Sequence, residues 1–237
     1  MRTKPIMTAL LTLVMLLTAA GCGGARLTMI TPAEDRPLTR ADTPENRVAL
    51  TFDVTWEKRE LGKILAILQT NDIKATFFVG GTFLGLHGDL VRQMGAQGHE
   101  IGTLGQKIIN LSQLPETEVT STLLASQSAL SKMLGGPVRY FRPPQGDATA
   151  AVVAAARQAN LVTVTHSLDS EDHLGLKAPR IVERVVGRAR KGDIIRLSAS
   201  DWSPETARAL PGIIRGLREK GLQMVKVSEL VPQETKP

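Results

Sequence analysis

From Arg47 onward the chain alternates short β-branched or aromatic runs with stretches of helical periodicity, and this rhythm constrains the fold more than any other feature. The runs are "VALTF", "KATFFV", "HEIG", "RYF", "LVTVTH", "DIIRL" and "QMVKV". Between them, helical patterns cover residues 58–70, 89–97, 115–134, 148–159, 178–190 and 205–220. A strand followed each time by a helix implies parallel pairing, because a parallel strand needs a long crossover to return to the same end of the sheet. About seven or eight such units predict an α/β fold, a distorted (β/α) barrel of about seven or eight parallel strands, in preference to an open sheet. Local punctuation agrees: Pro115 with Glu116 and Glu118 opens a helix, Gly135-Gly136-Pro137 ends it, and Gly192-Asp193 turns into a strand.

The 237 residues, 42% of them hydrophobic, supply one barrel-sized core, assigned to residues 47–231. Ahead of it, Arg2 and Lys4 precede an apolar run from Ile6 to Leu17, which ends in Ala19-Ala20-Gly21 before Cys22. This pattern predicts an export signal over residues 1–21. The run is shorter than the roughly 20 residues that a membrane-spanning helix needs, so a permanent transmembrane anchor is the second reading. "TAAGC" resembles the cleavage box of bacterial lipoproteins, and Cys22, the only cysteine, has no internal disulfide partner. Cys22 is therefore expected to carry the lipid anchor, the alternative being an incidental thiol. Residues 22–46, with Gly23, Gly24, Pro32, Pro37 and Pro44, read as a tether, and 232–237 as a tail. The expected location is the outer face of the cytoplasmic membrane. Loss of Arg2 and Lys4 with the leader lowers the formal charge of +6 by two, a modest basic balance suited to an anionic envelope. One Tyr, two Trp and no nucleic-acid motif argue against a DNA or RNA partner. The basic stretch Arg180, Arg184, Arg188, Arg190 and Lys191 interleaves with Ile181, Val182, Val185 and Val186, which predicts the wet face of an amphipathic helix.

The unusual polar and proline-rich segments all fall at carboxyl ends of expected strands: Asp53 after "VALTF", residues 103–108 after "HEIG", "RPPQGD" after "RYF", "HSLDSEDH" after "LVTVT" and "SASDW" after "DIIRL". In a βα barrel those ends share one face, so the five segments converge on one cleft.

Taken in order, "VALTFDVTW", "IKATFFV", "QGHEIG", "FRPPQGD", "SLDSEDH" and "GDIIRLSASD" resemble the NodB-homology polysaccharide deacetylases, carbohydrate esterase family 4, and among them the sporulation-associated branch. The resemblance implies a distorted barrel with a groove for N-acetylated glycans such as peptidoglycan. It also implies hydrolysis of a non-peptide C–N bond by a divalent metal, such as zinc, held by an Asp and two His. In active members the first Asp of a Thr-Phe-Asp-Asp motif is the base and an Arg of the Arg-Pro-Pro segment orients it. A late His, tuned by an Asp, is the acid.

Carried onto this chain, the resemblance matches Asp53 to the base, Arg142 to its orienting partner, and Asp169 or Asp172 to the acid-tuning segment. Val54 stands at the metal Asp position, Leu104 and Ile108 at the two metal His positions, and Ser198 where the acid His belongs. Pro143, Pro144, Gln145, Asp147, His166, His173, Ser198, Asp201 and Trp202 are expected to line the groove. Val, Leu and Ile offer no lone pair, so no cofactor is expected. A metal lowers the pKa of bound water from about 15.7 to about 7, at most on the order of 12 kcal/mol of activation. Asp53 as a lone base recovers only about 3 to 5 kcal/mol. Leu104 and Ile108 are expected to bury themselves, and Asp53 with Arg142 to persist as an ion pair that shapes the groove.

The sequence thus points to an envelope lipoprotein whose catalytically degenerate domain binds cell-wall glycan or an envelope protein. Two alternatives stand beside it. One is an active deacetylase of peptidoglycan-like or chitin-like glycan with a non-standard metal site drawn from Asp53, Asp169, Asp172 or His173. The other is a structural or regulatory module of the spore or cell envelope.

Overall fold

The computed structural model describes residues 36–231. The leader at 1–21, Cys22, the first part of the expected tether and the tail at 232–237 lie outside the described residues. Strands β1 (Arg47–Val54), β2 (Thr76–Val79), β3 (Glu100–Thr103), β4 (Tyr140–Phe141), β5 (Val162–Thr163), β6 (Leu168–Asp169), β7 (Ile194–Ser198) and β8 (Gln223–Val225) form one parallel sheet. The helices are α1 (Arg59–Thr70), α2 (Gly81–Ala96), α3 (Glu116–Leu134), α4 (Ala150–Gln158), α5 (Ala178–Arg188), α6 (Pro204–Glu219) and the short α7 (Val227–Leu230).

The sheet runs β5-β4-β3-β2-β1-β7-β6, the neighbour order of a βα barrel with one seam between β5 and β6. Strand β8 is displaced. It pairs with Arg47–Ala49 on the edge of β1 that β2 occupies farther up, at Thr51–Val54, while β7 takes the other edge. Strands β4 and β1 are three steps apart, about 14 Å in a flat sheet. Even so, Arg142, just past β4, reaches both Asp53 and Thr51 of β1, at 2.9 and 2.8 Å. The sheet is therefore strongly curled, a distorted barrel left open at one seam.

Alternation along each strand divides the apolar residues into two layers. Val48, Leu50, Phe52 and Val54 of β1 join Phe77, Ile101 and Leu197 in the larger core, against α1, α3 and α6. Ala49, Phe78, Tyr140, Val164 and Ile194 fill the barrel interior, plugged by Val227 and Leu230 of α7. α5 buries Ile181 and Val185 and leaves Arg180 and Arg188 in water, as its pattern predicts.

Three stretches differ from the expectation. Helix α2 begins at Gly81 and not at residue 89, because Gly80, Gly81, Gly85 and Gly88 obscure the period, and it kinks at His87. Gly81 answers to a tertiary demand: a Cβ there would sit 2.6 Å from the carbonyl of Gln106 in the β3–α3 loop. Strand β6, two residues long, lies inside a segment read as loop, too short for alternation to show. Finally, Leu38 to Ala41, read as tether, is docked: Leu38 bridges Val164 and Ala41 is buried. The free edge of β5 leaves backbone groups unpaired, and Leu38 satisfies two of them, through Thr163 and Thr165.

Candidate functional site

At the carboxyl ends of the strands lies a cleft of about 480 Å³. Of the expected residues, Asp53, Leu104, Ile108, Arg142, Pro143, Pro144, Gln145, His166, Asp169, His173 and Ser198 line it, together with Thr55, Gly146, Thr165 and Arg196. Gln145 holds a positive φ of 58°, a conformation uncommon for a residue with a side chain.

The inner-face register of β1 and β7 sets the centre of the site. Thr51 is the partner of Arg196 and Asp53 of Ser198, so all four side chains share the inner face. Arg142 Nη1 donates to Asp53 Oδ1 at 2.9 Å, and Arg196 Nε donates to Asp53 Oδ2 at 2.7 Å. Arg196 Nη1 continues to Asp169 Oδ2 at 2.9 Å. Arg142 further donates to Thr51 Oγ1 and the Thr165 carbonyl, and its guanidinium lies 4.1 Å from the centre of the Phe78 ring. An Arg142–Asp53–Arg196–Asp169 chain thus runs from the end of β5 to β6, and side chains span the seam that the backbone leaves open.

Burial opposes ionisation of Asp53, but the Coulombic pull of Arg142 and then Arg196 outweighs it and holds the pKa below the ordinary aspartate value. Asp169 shifts the same way. Burial again opposes ionisation there, and a hydrogen bond from the Glu171 backbone together with Arg196 prevails. His166, with Nε2 3.5 Å from Asp169 Oδ2, has its pKa lowered by burial despite that carboxylate. It is accordingly a neutral imidazole near pH 7, with less of the protonated form than an ordinary histidine carries at that pH.

The sequence left Asp169 and Asp172 as alternatives, and the structure separates them. Asp169 joins the ion-pair chain. Asp172 is buried behind the cleft, where its Oδ2 accepts from the backbone of Ser198 at 2.7 Å and from Thr206 Oγ1 at 2.6 Å. Burial pushes its pKa up, against those hydrogen bonds. Three expected groove residues lie outside the lining. Asp147 Oδ2 accepts from the Ser112 backbone, Asp201 Oδ1 accepts from the Glu60 backbone at the start of α1, and Trp202 stands exposed.

The four substituted positions fare differently. Val54 faces the outer core, fully buried. Leu104 is buried on the inner side of the cleft and Ile108 half-buried beside it, against Gly80. Ser198 keeps its place in the lining but anchors its backbone on Asp172. A divalent metal is what the family pattern implies, and these residues do not fit one. Two ligand positions in the cleft present only carbon, and both oxygens of Asp53 are held by guanidiniums. Among the described residues no group of three or more His, Cys, Asp or Glu is arranged to hold a metal ion. The alternative metal set is corrected accordingly: Asp53 and Asp169 are engaged by Arg196, and Asp172 serves Ser198 and Thr206.

Among the charged residues of the lining, Arg196 is the one that sequence reasoning missed. Its signal was visible, a single charge inside the apolar run "IIRL", but its partner lies 143 residues away in the chain.

With this geometry in view, comparison with known proteins defines the class. Residues 40–164 match the polysaccharide deacetylase family, and the chain belongs to it. It is 31% identical over 196 residues to a peptidoglycan-N-acetylglucosamine deacetylase of Bacillus cereus, covering 80% of this chain and 91% of that one. It is 27% identical over 201 residues to the uncharacterized protein YlxY of Bacillus subtilis, covering 84% of this chain but only 62% of that protein's length. Among solved structures it is similar to BA3943 of Bacillus anthracis, a CE4 family pseudoenzyme, with a TM-score of 0.79 and 25% identity over 84% of this chain and 70% of that one. A mutant of BA3943 with restored enzymatic activity superposes with the same TM-score, 0.79.

Proposed function

We propose that this chain is an exported, lipid-anchored protein of the cell or spore envelope, in the sporulation-associated branch, whose deacetylase-fold domain binds N-acetylated cell-wall glycan without hydrolysing it. The observation that carries the reading is the double clamp on Asp53, joined to the carbon-lined positions Leu104 and Ile108. A carboxylate that accepts from a guanidinium at each oxygen is a poor proton acceptor, and its lowered pKa makes it a weaker base still. Among the described residues no group is arranged to hold the cation that activates the family's water.

Support for a glycan ligand comes from the relatives, which include a peptidoglycan-N-acetylglucosamine deacetylase. Trp56 and Trp202 add to it. Both lie outside the cleft lining, 45% and 76% exposed on the loops that leave β1 and β7, and a solvated aromatic face suits a sugar ring. The envelope location is supported by the charged and apolar leader and by "TAAGC".

The full-length chain mixed with peptidoglycan sacculi or chitin oligomers should be retained on the polymer while releasing no acetate. Acetate release above buffer, or no retention on either polymer, overturns the corresponding half of the proposal. Growth with a labelled fatty acid should mark the native chain and leave Cys22→Ser unlabelled; equal labelling of the two removes the lipid anchor.

A further inference from the structure

Arg196 is a charged residue in a strand whose neighbours Ile194, Ile195 and Leu197 are fully buried, and the glycan reading gives it no task. Its side chain rises along the inner face from the level of Thr51 to that of Asp53. There the planar guanidinium meets two carboxylates from the strands on either side of β7: Nε on Asp53 Oδ2 at 2.7 Å and Nη1 on Asp169 Oδ2 at 2.9 Å. Asp53 and Asp169 are thus held together by one cation, and with Arg142 the cluster comes to formal neutrality, two acids against two bases.

We infer that the Arg196 guanidinium is the resident cation of this cleft and that its fixed charge bars a divalent metal from it. Buried carboxylates are costly unless paired, and the fixed positive charge of Arg196 pairs both Asp53 and Asp169. Two acids that each accept a charge-assisted hydrogen bond from one planar guanidinium resist displacement more than acids facing water. A dication entering the same lining as Arg196 meets a like charge in a partly desolvated space, where repulsion is weakly screened. Putting back the lost ligands therefore leaves the site half repaired. The inference concerns metal exclusion and holds whatever the cleft binds.

Zinc titration calorimetry on full-length variants tests it. Leu104→His, Ile108→His and Ser198→His, the substituted positions that line the cleft, combined should bind zinc poorly while Arg196 is present. Adding Arg196→Leu to that background should tighten zinc by about 100-fold or more, and adding Arg196→Lys, which keeps the charge, should not. Equal zinc affinity with Arg196 and with Leu overturns the inference, as does a Lys variant that binds like the Leu one. If the multiple variants do not fold, the single Arg196→Ser decides. Once circular dichroism shows it folded, terbium(III), a hard cation suited to carboxylate oxygens, should give saturable luminescence that the native chain lacks. Terbium emission no greater than that of the native chain overturns the proposal on its own.

Discussion

The cleft has two walls of different character. The β3–α3 loop contributes Leu104 and Ile108, carbon where the family pattern has imidazole, and Leu104 is 2% exposed within the interior cluster. Strands β1 and β7 and the residue just past β4 contribute Asp53, Arg196 and Arg142, where the family pattern has a base and its orienting arginine, and Arg196 is a second arginine. On the first wall the loss of ligands needed no compensation, since an aliphatic side chain gains roughly 1.5–3 kcal/mol from burial alone. On the second, a buried carboxylate without partners would be destabilising, so the charged residues remain in a closed circuit. The positions that carry imidazole in the family pattern thus serve packing here, and the charged positions serve as paired structure.

The largest expected effect breaks the charged wall. Arg142→Met leaves Asp53 Oδ1 and the Thr165 carbonyl without their donor, and urea denaturation should show a loss of about 3–5 kcal/mol. A loss below about 1 kcal/mol would mean that the ion-pair chain does not hold the upper barrel. On the apolar wall, Leu104→Ala should cost about 2–3 kcal/mol by the same measurement, and half-buried Ile108→Ala less than that. Equal losses at the two positions would contradict the packing assigned to them.

The smallest effects sharpen the comparison through pH. Asp53 has a folded pKa below its unfolded value, so its contribution is complete above the unfolded value of about 3.9 and disappears as pH falls through the folded one. Asp172 has a folded pKa above its unfolded value, so its ionisation erodes stability as pH rises from about 3.9 through the folded pKa. Denaturation midpoints followed from pH 3 to 7 should therefore separate the two. Asp53→Asn flattens the acid limb, and Asp172→Asn removes a decline toward neutral pH while changing stability by less than about 1 kcal/mol. Parallel curves for the two variants would refute the opposite signs.

Much of this was legible along the chain. Strand runs such as "VALTF" and "KATFFV" carry their period locally, and the caps of α3, Pro115 and Gly135, sit where the punctuation puts them. The start of α2 was hidden because glycine lowers helix propensity, while the Gln106 carbonyl requires glycine at position 81. Strand β6 and the docked Leu38 are defined by partners and not by any period of their own. Within the site, Asp53, Arg142, Leu104 and Ile108 follow from position in a motif, whereas Asp147, Asp201 and Trp202, which belong to the same strand-end segments, lie outside the lining.

The sequence by itself determined what this cleft cannot do: Leu104 and Ile108 offer no lone pair in any conformation, so no arrangement of the backbone makes ligands of them. Which oxygens of Asp53 are engaged, that Arg196 bridges to Asp169, that Asp172 holds Ser198, and that Val54 faces the outer core were decided only by the tertiary structure. The reason is geometric. A residue's chemistry is its own, but its partners depend on which face of a strand it occupies and on how far the sheet curls, and both are set by residues distant in the chain.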